Sequence, residues 1–386
     1  MKKILHISNY YLPHMGGIEL CTKSMVDALK QKYEQKVICF SSTAKNITDK
    51  DGTVEIIRCG APIKMFSQAV SFSYYAKLKE TMENFKPDII IFQFPNPLVA
   101  EMLLKLIKNE KLIVFYQSDI YRQKLLKYLF EVQNHRLLKK ADLILASSEK
   151  YVEGSRFLRK YREKVEILHL CILKERQKQF DEILAKRKEK NEKSALKKDT
   201  ITFLFVGRHV EYKGLKYLVA ASKMVEGNFK LLIAGTGPLT RKLKKAAEGN
   251  EKIKFLGRVS EKKLAELFAE AEVFCFPSIT KNEAYGISLI EAMYMHLPAV
   301  TFTIEESGVN SVCVNGETGI EVKNKDVQAY AASMQKFIED KELIKKYGEA
   351  AHKRAEKEYL FGKFENTLNQ IIEKVEEQNQ KSKHKI

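Results

Sequence analysis

Two carboxylates, Glu283 and Glu291, lie eight positions apart in the segment NEAYGISLIEAM, residues 282–293. Gly286 sits between them, followed by the run Ile287–Ile290, and just upstream EVFCFPS (272–278) reads as a buried strand stopped by Pro277 and Ser278. This pattern predicts a strand, a polar turn and a helix beginning near Ile287. The first turn of a helix carries unpaired backbone N–H groups, which suit phosphate oxygens. Glu283 then falls in the loop ahead of the helix and Glu291 about one turn inside it. One carboxylate is placed to reach a hydroxyl on one side of a bound diphosphate, the other a hydroxyl on the far side. A ligand built as sugar, diphosphate and ribose has that layout. Taken alone, the segment also fits an ordinary strand–turn–helix with surface glutamates.

Cations lie in a second segment, FVGRHVEYKGLKYLVAA (205–221). A strand ends at Val206, Gly207 allows a tight exit, and Arg208 and Lys213 precede Gly214 and a helical pattern. A guanidinium grips phosphate oxygens in pairs, and an ammonium adds a movable point charge. In open α/β sheets ligands bind beyond the carboxyl ends of the strands, where both cations belong. A surface loop with two ordinary cations shows the same residues. LLIAGTGPL (231–239) contains Gly235 and Gly237 but has Thr240 in place of a third glycine, so it reads as a backbone turn rather than a dinucleotide fingerprint. HMGGIE (14–19) follows the first strand after a loop, and Gly16 and Gly17 permit close backbone approach to a phosphate or sugar, or serve as plain loop glycines.

These segments resemble, in chain order, the retaining glycosyltransferases of family four (glycosyl transferases group 1), which have the GT-B fold. NEAYGISLIEAM resembles the paired-glutamate signature, and FVGRHVEYKG the "VGR…KG" segment. FLGRVS (255–260) resembles the turn whose backbone lies against the nucleobase, here Arg258 and Val259, although a strand-to-helix turn capped by Ser260 explains it equally well. QFPNPL (93–98), YQSDIYRQK (116–124) and YVEGSRFLRKY (151–161) resemble a bacterial subgroup that builds surface polysaccharides.

The resemblance implies that Arg208 and Lys213 hold the donor diphosphate and neutralise the leaving group. Gly16, Gly17, Gly286, Ile287 and Ser288 would line the donor, Glu283 would hydrogen-bond sugar hydroxyls, and Glu291 would hold the ribose. It implies front-face transfer, in which the leaving phosphate takes the acceptor proton, with no enzymic nucleophile, protein-bound metal or cofactor. On the acceptor or sugar side it points to Gln117 and Asp119. Two departures stand out. Gln117 replaces the subgroup's usual histidine, which contacts the transferred sugar, and an amide cannot titrate. The family's proline after the last strand of the first domain is missing from HLCIL, 169–173.

The elements that would position these residues are legible as apolar runs. Candidate strands in the first half are Ile4–Ser8, Lys36–Phe40, Val54–Cys59, Asp88–Phe94, Leu112–Tyr116, Leu143–Ser147 and Val165–Leu168. In the second half they are Thr202–Val206, Lys230–Ala234, Lys252–Leu256, Val273–Phe276 and Ala299–Thr303. Continuous apolar strands separated by helical patterns predict parallel sheets covered on both faces. The expected class is α/β: two Rossmann-like domains whose parallel sheets face each other across a cleft. The first domain is expected over 1–172, a charged helix and linker over 173–198, and the second domain over 199–358. Phe364, Leu368, Ile371, Ile372 and Val375 form an apolar stripe at helical spacing. The resemblance implies that a helix over 361–378 packs back onto the first domain, ahead of a polar tail at 379–386.

Bulk properties narrow the partners. No stretch approaches the roughly 20 apolar residues of a membrane span, and MKKILHISNYY reads as a first strand rather than a signal peptide. The six cysteines show no metal spacing and suit reduced thiols of a cytoplasmic protein. The net charge is +18, and residues 101–200 hold 25 Lys/Arg against 15 Asp/Glu. A basic face suits an anionic membrane surface, a nucleic acid or a phosphorylated acceptor, or is simply a lysine-rich solvated surface. No nucleic-acid-binding module or base-stacking motif accompanies the charge, so nucleic acid is not expected.

The expected activity is therefore transfer of a hexose from a UDP- or GDP-sugar to a hydroxyl of a saccharide or lipid-linked saccharide, in surface polysaccharide or lipopolysaccharide synthesis. It would occur in the cytoplasm or peripherally on the inner face of the plasma membrane. The replacement at Gln117 leaves open a catalytically silent sugar-nucleotide-binding partner subunit. The charge alone leaves a basic nucleic-acid binder as the remoter alternative.

Overall fold

Strand-forming runs rich in Ile, Val, Leu and Phe set the architecture, because a parallel strand buried on both faces needs apolar side chains throughout. The computed structural model describes residues 1–65, 68–118, 127–191 and 200–383. They divide into two compact units: unit 1 is Met1–Leu170 with Gly362–Ile386, and unit 2 is Cys171–Phe361.

Unit 1 carries β1 (Lys3–Ile7), β2 (Glu34–Phe40), β3 (Ile47–Asp51), β4 (Val54–Cys59), β5 (Ile63–Met65), β6 (Gln68–Val70), β7 (Ile89–Phe94), β8 (Lys111–Tyr116), β9 (Leu143–Ala146) and β10 (Val165–Ile167). Eight of them form one sheet in the order β10-β9-β8-β7-β1-β2-β4-β3, and β5 and β6 pair separately. Every neighbour in the main sheet is parallel except the β3–β4 pair. The strands β3, β5 and β6 have no counterpart among the apolar runs. ITDKD, the sequence of β3, is polar and mostly exposed, as suits an edge strand formed by backbone pairing alone.

The chain leaves β1 in one direction across the sheet and β7 in the other, so β1/β7 is the point where strand order reverses. Asn9 Nδ2 donates to Pro95 O at 3.3 Å, and Asn96 Nδ2 donates to Asn9 Oδ1 at 2.6 Å, fastening the two loops that follow those strands. Asn96 also caps the helix Pro97–Leu106 by accepting from Val99 N.

The helix Phe361–Lys383 begins at the end of unit 2 and supplies the last element of unit 1. Phe364, Leu368, Ile371, Ile372 and Val375 are all buried. Polar contacts flank the stripe: Lys32 with Glu373 at 2.9 Å, Lys2 with Glu376 at 3.0 Å, and Asn369 Nδ2 donating to Ala28 O at 3.4 Å.

Unit 2 carries β11 (Ile201–Val206), β12 (Phe229–Ala234), β13 (Ile253–Gly257), β14 (Val273–Phe276), β15 (Ala299–Phe302) and β16 (Gly319–Val322). They form an all-parallel sheet in the order β13-β12-β11-β14-β15-β16. The first strand is central, two follow outward, and the chain returns across β11 to lay the rest on the other side. That is the doubly wound Rossmann order, with its switch point between β11 and β14. The short β16 went unrecognised because GIEV carries too little apolar signal.

The charged stretch expected to be helix and linker is ordered over Lys174–Asn191 as a helix of unit 2. Phe180 is fully buried and meets Phe268 edge-on at 5.6 Å between ring centroids. One aromatic anchor outweighs the polar average of that sequence.

Leu368 is completely buried in unit 1. Leu368→Ala is expected to destabilise that unit by about 2–5 kcal/mol, the range for a large-to-small change at a closed core site. Urea denaturation followed by circular dichroism checks this, and a loss below about 1 kcal/mol would show that the helix does not close the core.

Candidate functional site

Arg208 and Lys213 follow β11, Glu283 follows β14, and Glu291 lies in the next helix, so all four belong to the switch point of unit 2. The two segments are tied together by one backbone and one side-chain hydrogen bond. Ile279 N donates to Tyr212 O at 2.9 Å, and Ser288 Oγ donates to Val206 O at 3.4 Å. Gly214 has φ +64°, and a Cβ there would stand 1.8 Å from Pro277 O. Only glycine allows the chain that carries Lys213 to lie against the end of β14. Gly286 has φ +95°, and a Cβ there would meet Phe276 Cζ at 2.8 Å. It caps the helix Ile287–Tyr294, so the helix begins beside the strand end and turns its first N–H groups toward the switch point.

Lys213 lies on the short 3-10 turn Glu211–Lys213 and is only 9% exposed. Its Nζ forms an ion pair with Glu283 Oε2, and Ser278 Oγ donates to the same oxygen at 3.0 Å. The Phe276 ring lies under the ammonium at 5.2 Å. Burial by itself lowers the pKa of Lys213, but the Glu283 carboxylate and Tyr212 together outweigh it and the net shift is upward, so the side chain stays a cation. Arg208 opposes that rise, which places its positive charge within electrostatic reach of Lys213. Arg208 is exposed. The main chain of Glu283 is fixed too: Ser307 Oγ donates to Glu283 O at 2.6 Å.

Glu291 is buried in the helix Ile287–Tyr294, and its neighbour is Arg176, with Nε 3.4 Å from Glu291 Oε1. The carboxyl pKa is pushed up to about 7: burial raises it, Arg176 pulls it down, and the Glu261 carboxylate pushes it up. Ile287 and Ser288 are half-buried in the first turn. Arg258 is exposed and Val259 half-buried in the turn after β13, where Ser260 caps the helix Glu261–Glu270 by accepting from Lys263 N. Gly235 N donates to Gly257 O at 2.8 Å, tying that turn to the loop after β12.

The remaining candidates lie in unit 1. Gly17 starts the helix Gly17–Leu29 and Gly16 caps it, with Glu19 folded back so that a Cβ on Gly16 would fall 2.3 Å from Glu19 Oε2. Gln117 follows β8 and is buried. Its Nε2 donates to Gln93 Oε1 at 2.6 Å, and Gln93 Nε2 donates to Met25 Sδ at 3.2 Å. Asp119 lies outside the described residues. Among the described residues no group of three or more His, Cys, Asp or Glu side chains is placed to hold a metal, and the six cysteines are buried and form no disulfide.

The sequence reading missed Ser278, Glu261 and Arg176. In the sequence Ser278 marks only the end of a strand. Arg176 hid in a lysine-rich stretch, although Phe180, Ile183 and Leu184 at helical spacing after it mark a buried face.

The family model described as "Glycosyl transferases group 1" matches residues 186–354, and the one described as "Glycosyltransferase Family 4" matches residues 15–175. The chain belongs to the family-four glycosyltransferases. The D-rhamnosyltransferase WbpZ of Pseudomonas aeruginosa is 28% identical over 360 residues, 91% of each chain. The O-antigen chain mannosyltransferase C of Escherichia coli is 26% identical over 386 residues, 96% of this chain and 99% of that one. Among solved structures, Anabaena HepE in complex with UDP-glucose matches with a TM-score of 0.75 at 14% identity, covering 97% of this chain and 100% of that one. The two parallel-sheet units of this glycosyltransferase are those of the GT-B fold.

The upward shift at Glu291 has a consequence for stability. Between the ordinary glutamate value of 4.5 and about 7, the folded enzyme holds a proton that the unfolded chain releases. The contribution of this group is therefore fully present below pH 4.5 and is lost as pH rises through about 7. Glu291→Gln is expected to flatten that part of the profile, gaining on the parent as pH rises from 5 to 8. Denaturant midpoints across that range test it, and parallel profiles for the two proteins would contradict it.

Proposed function

We propose that this glycosyltransferase moves a hexose from a UDP- or GDP-sugar to a hydroxyl of a saccharide or lipid-linked saccharide, with retention at the anomeric carbon. The observation that carries the reading is the buried Lys213 set with exposed Arg208 beside the first turn of the helix Ile287–Tyr294. This is a cationic seat for a diphosphate, built at the switch point where Rossmann sheets bind their ligands.

As the bond from the anomeric carbon to the phosphate oxygen breaks, negative charge grows on the departing diphosphate. Lys213, Arg208 and the helix N–H groups stabilise that charge from fixed positions, at little reorganisation cost. The Lys213–Glu283 pair must loosen for this, freeing the carboxylate to accept from sugar hydroxyls while the ammonium turns to phosphate. Glu291 accepts from the ribose, and the backbone at Arg258 and Val259 lies against the base. Gly16 and Gly17 permit a phosphate or sugar to approach the backbone closely. The acceptor hydroxyl forms the new bond on the face the diphosphate leaves, and its proton passes to the leaving phosphate oxygen. The two side-chain cations do the neutralising, and the proposal assigns no protein-bound metal or cofactor.

The full-length likeness to a rhamnosyltransferase and an O-antigen mannosyltransferase supports surface polysaccharide or lipopolysaccharide synthesis as the setting. The HepE complex supports a nucleotide-sugar donor. We assign the acceptor side to unit 1, with Gln117 and Asp119.

Arg208→Ala and Lys213→Ala are each expected to lower turnover by roughly 10²-fold or more, the scale of losing one charge-stabilising donor. Thermal-shift screening against UDP- and GDP-sugars finds the donor, and radiolabel transfer to a lipid-linked acceptor measures the rates. Near-parental rates in either variant would remove the seat assigned to the diphosphate. Binding of a sugar nucleotide with no transfer to any of a panel of acceptors would favour a silent partner subunit instead.

Residues 101–200 hold a surplus of ten Lys/Arg over Asp/Glu (25 against 15). No helix among the described residues is long and apolar enough to cross a membrane. We assign this charge to peripheral attachment at an anionic membrane surface, on its cytoplasmic side. Binding to vesicles containing phosphatidylglycerol should be detectable at low salt and fall steeply toward 0.5 M salt. Absence of binding at low salt, or binding indifferent to salt, would refute the assignment.

A further inference from the structure

Arg176 is a heavily engaged cation of unit 2 outside the diphosphate seat. It sits in the first turn of the helix Lys174–Asn191 and is only 5% exposed. Its Nε faces Glu291 Oε1 at 3.4 Å. Its Nη1 donates to Glu261 O at 2.9 Å and to Gln179 Oε1 at 3.4 Å, and its Nη2 forms an ion pair with Glu261 Oε2. All three guanidinium nitrogens are thus committed, two of them to Glu261 and one to Glu291.

The supporting helix is itself held from both sides. Phe180 packs on Phe268 of the helix Glu261–Glu270 and lies 6.3 Å from the Tyr294 ring of the helix Ile287–Tyr294. Tyr294 OH donates to Asp181 Oδ1 at 2.5 Å. The guanidinium therefore bridges two elements whose relative placement is fixed beneath it. One begins directly after the turn that carries Arg258 and Val259, and the other carries Glu291.

We propose that Arg176 is a positioning residue for the nucleoside end of the donor site. It braces the base-side turn against the ribose-side carboxylate and favours that carboxylate's ionised, accepting form. The inference rests on the donor site proposed above and deepens it. A ribose presents two hydroxyl donors, and an ionised carboxylate accepts from both without offering a competing donor of its own. Burial works against the ionised form, and Arg176 is the cation that opposes it, while Glu261 adds a like charge. A lysine cannot replace the guanidinium fully, because a single ammonium lacks the planar fork that reaches two carboxylates and a carbonyl at once.

The test compares a ligand that uses the brace with one that does not. Titration calorimetry would measure UDP or GDP, whichever the enzyme binds more tightly, and inorganic pyrophosphate, on the full-length protein. Arg176→Met keeps an apolar side chain of similar length near Phe180, over which the guanidinium lies, but removes the charge. It should weaken nucleoside diphosphate binding roughly 10- to 100-fold at pH 7.5, the loss expected for charge-assisted hydrogen bonds, and leave pyrophosphate within about twofold. Arg176→Lys should fall between the two. The pH above which nucleotide affinity plateaus should rise by about one unit or more in Arg176→Met. In a Glu291→Gln background the same change should cost less than about threefold.

Equal losses for pyrophosphate and nucleotide, or full additivity with Glu291→Gln, would overturn the proposal in favour of a general packing role. Unchanged nucleotide affinity in both variants would overturn it outright. If Arg176→Met fails to fold, Arg176→Lys decides by the same comparison. A parent enzyme that binds neither UDP nor GDP would remove the functional reading and this inference together, whereas a parent that binds with no dependence on Arg176 removes only the inference.

Discussion

The buried ion pair between Lys213 and Glu283 is the interaction on which the site in unit 2 depends. Taking two charges out of water costs several kcal/mol per ion, and their attraction offsets this only with good geometry and further hydrogen bonds. Ser278 supplies one such bond to the carboxylate, and Phe276 offers its ring face to the ammonium. Such a pair is a poor way to stabilise a fold, since apolar residues of similar volume would serve as well or better. It is a good way to hold a cation and an anion ready in a dry place. The surrounding backbone is arranged for it. Gly214 lets one loop touch the carbonyl of Pro277, and Gly286 lets a helix start against Phe276. Both conformations are ones that a side chain would forbid.

The two carboxylates of one short segment have different electrostatic partners, and this divides their labour. Glu283 faces a lysine from the loop after β11, while Glu291 faces an arginine from a helix that precedes the sheet. An ammonium on a flexible stem can turn from carboxylate to phosphate when a ligand arrives, whereas a guanidinium already bonded to Glu261 cannot move without breaking those bonds. The first pair is suited to exchange partners and the second to stay in place. That difference suits the proposed donor, whose diphosphate would change charge during transfer while its nucleoside would not.

Most of this was legible because the relevant signals are local. The apolar runs of β7, β8, β11 and β14 are fully or almost fully buried strands, and their type follows from composition alone. The start of the helix at Ile287 and the cap at Ser260 follow from glycine and hydroxyl chemistry at fixed offsets. What escaped was of three kinds. Edge strand β3 is polar and owes its form to pairing with β4, which no single segment encodes. Ser278 bonds Glu283 only because a loop turns back on itself. Arg176 lies 115 positions before Glu291, inside a run whose charge density argues for solvent. A charge run reports an average, and one buried face with Phe180 at its centre does not alter that average much.

Gln117 marks where chemistry rather than packing must decide. Its amide is spliced into the core of unit 1 by a bond to Gln93, which reaches on to Met25. An amide so held can orient a hydroxyl, but it cannot take a proton from one. An enzyme relying on a general base at this position would be disabled by the replacement. The proposed mechanism makes no such demand, because the acceptor proton goes to the phosphate oxygen released in the same event. The driving force then lies with the cations that lower the energy of the departing diphosphate, all of them in unit 2. Under that mechanism position 117 is free to vary with the proposed sugar or acceptor, and a non-titrating residue there is compatible with full turnover.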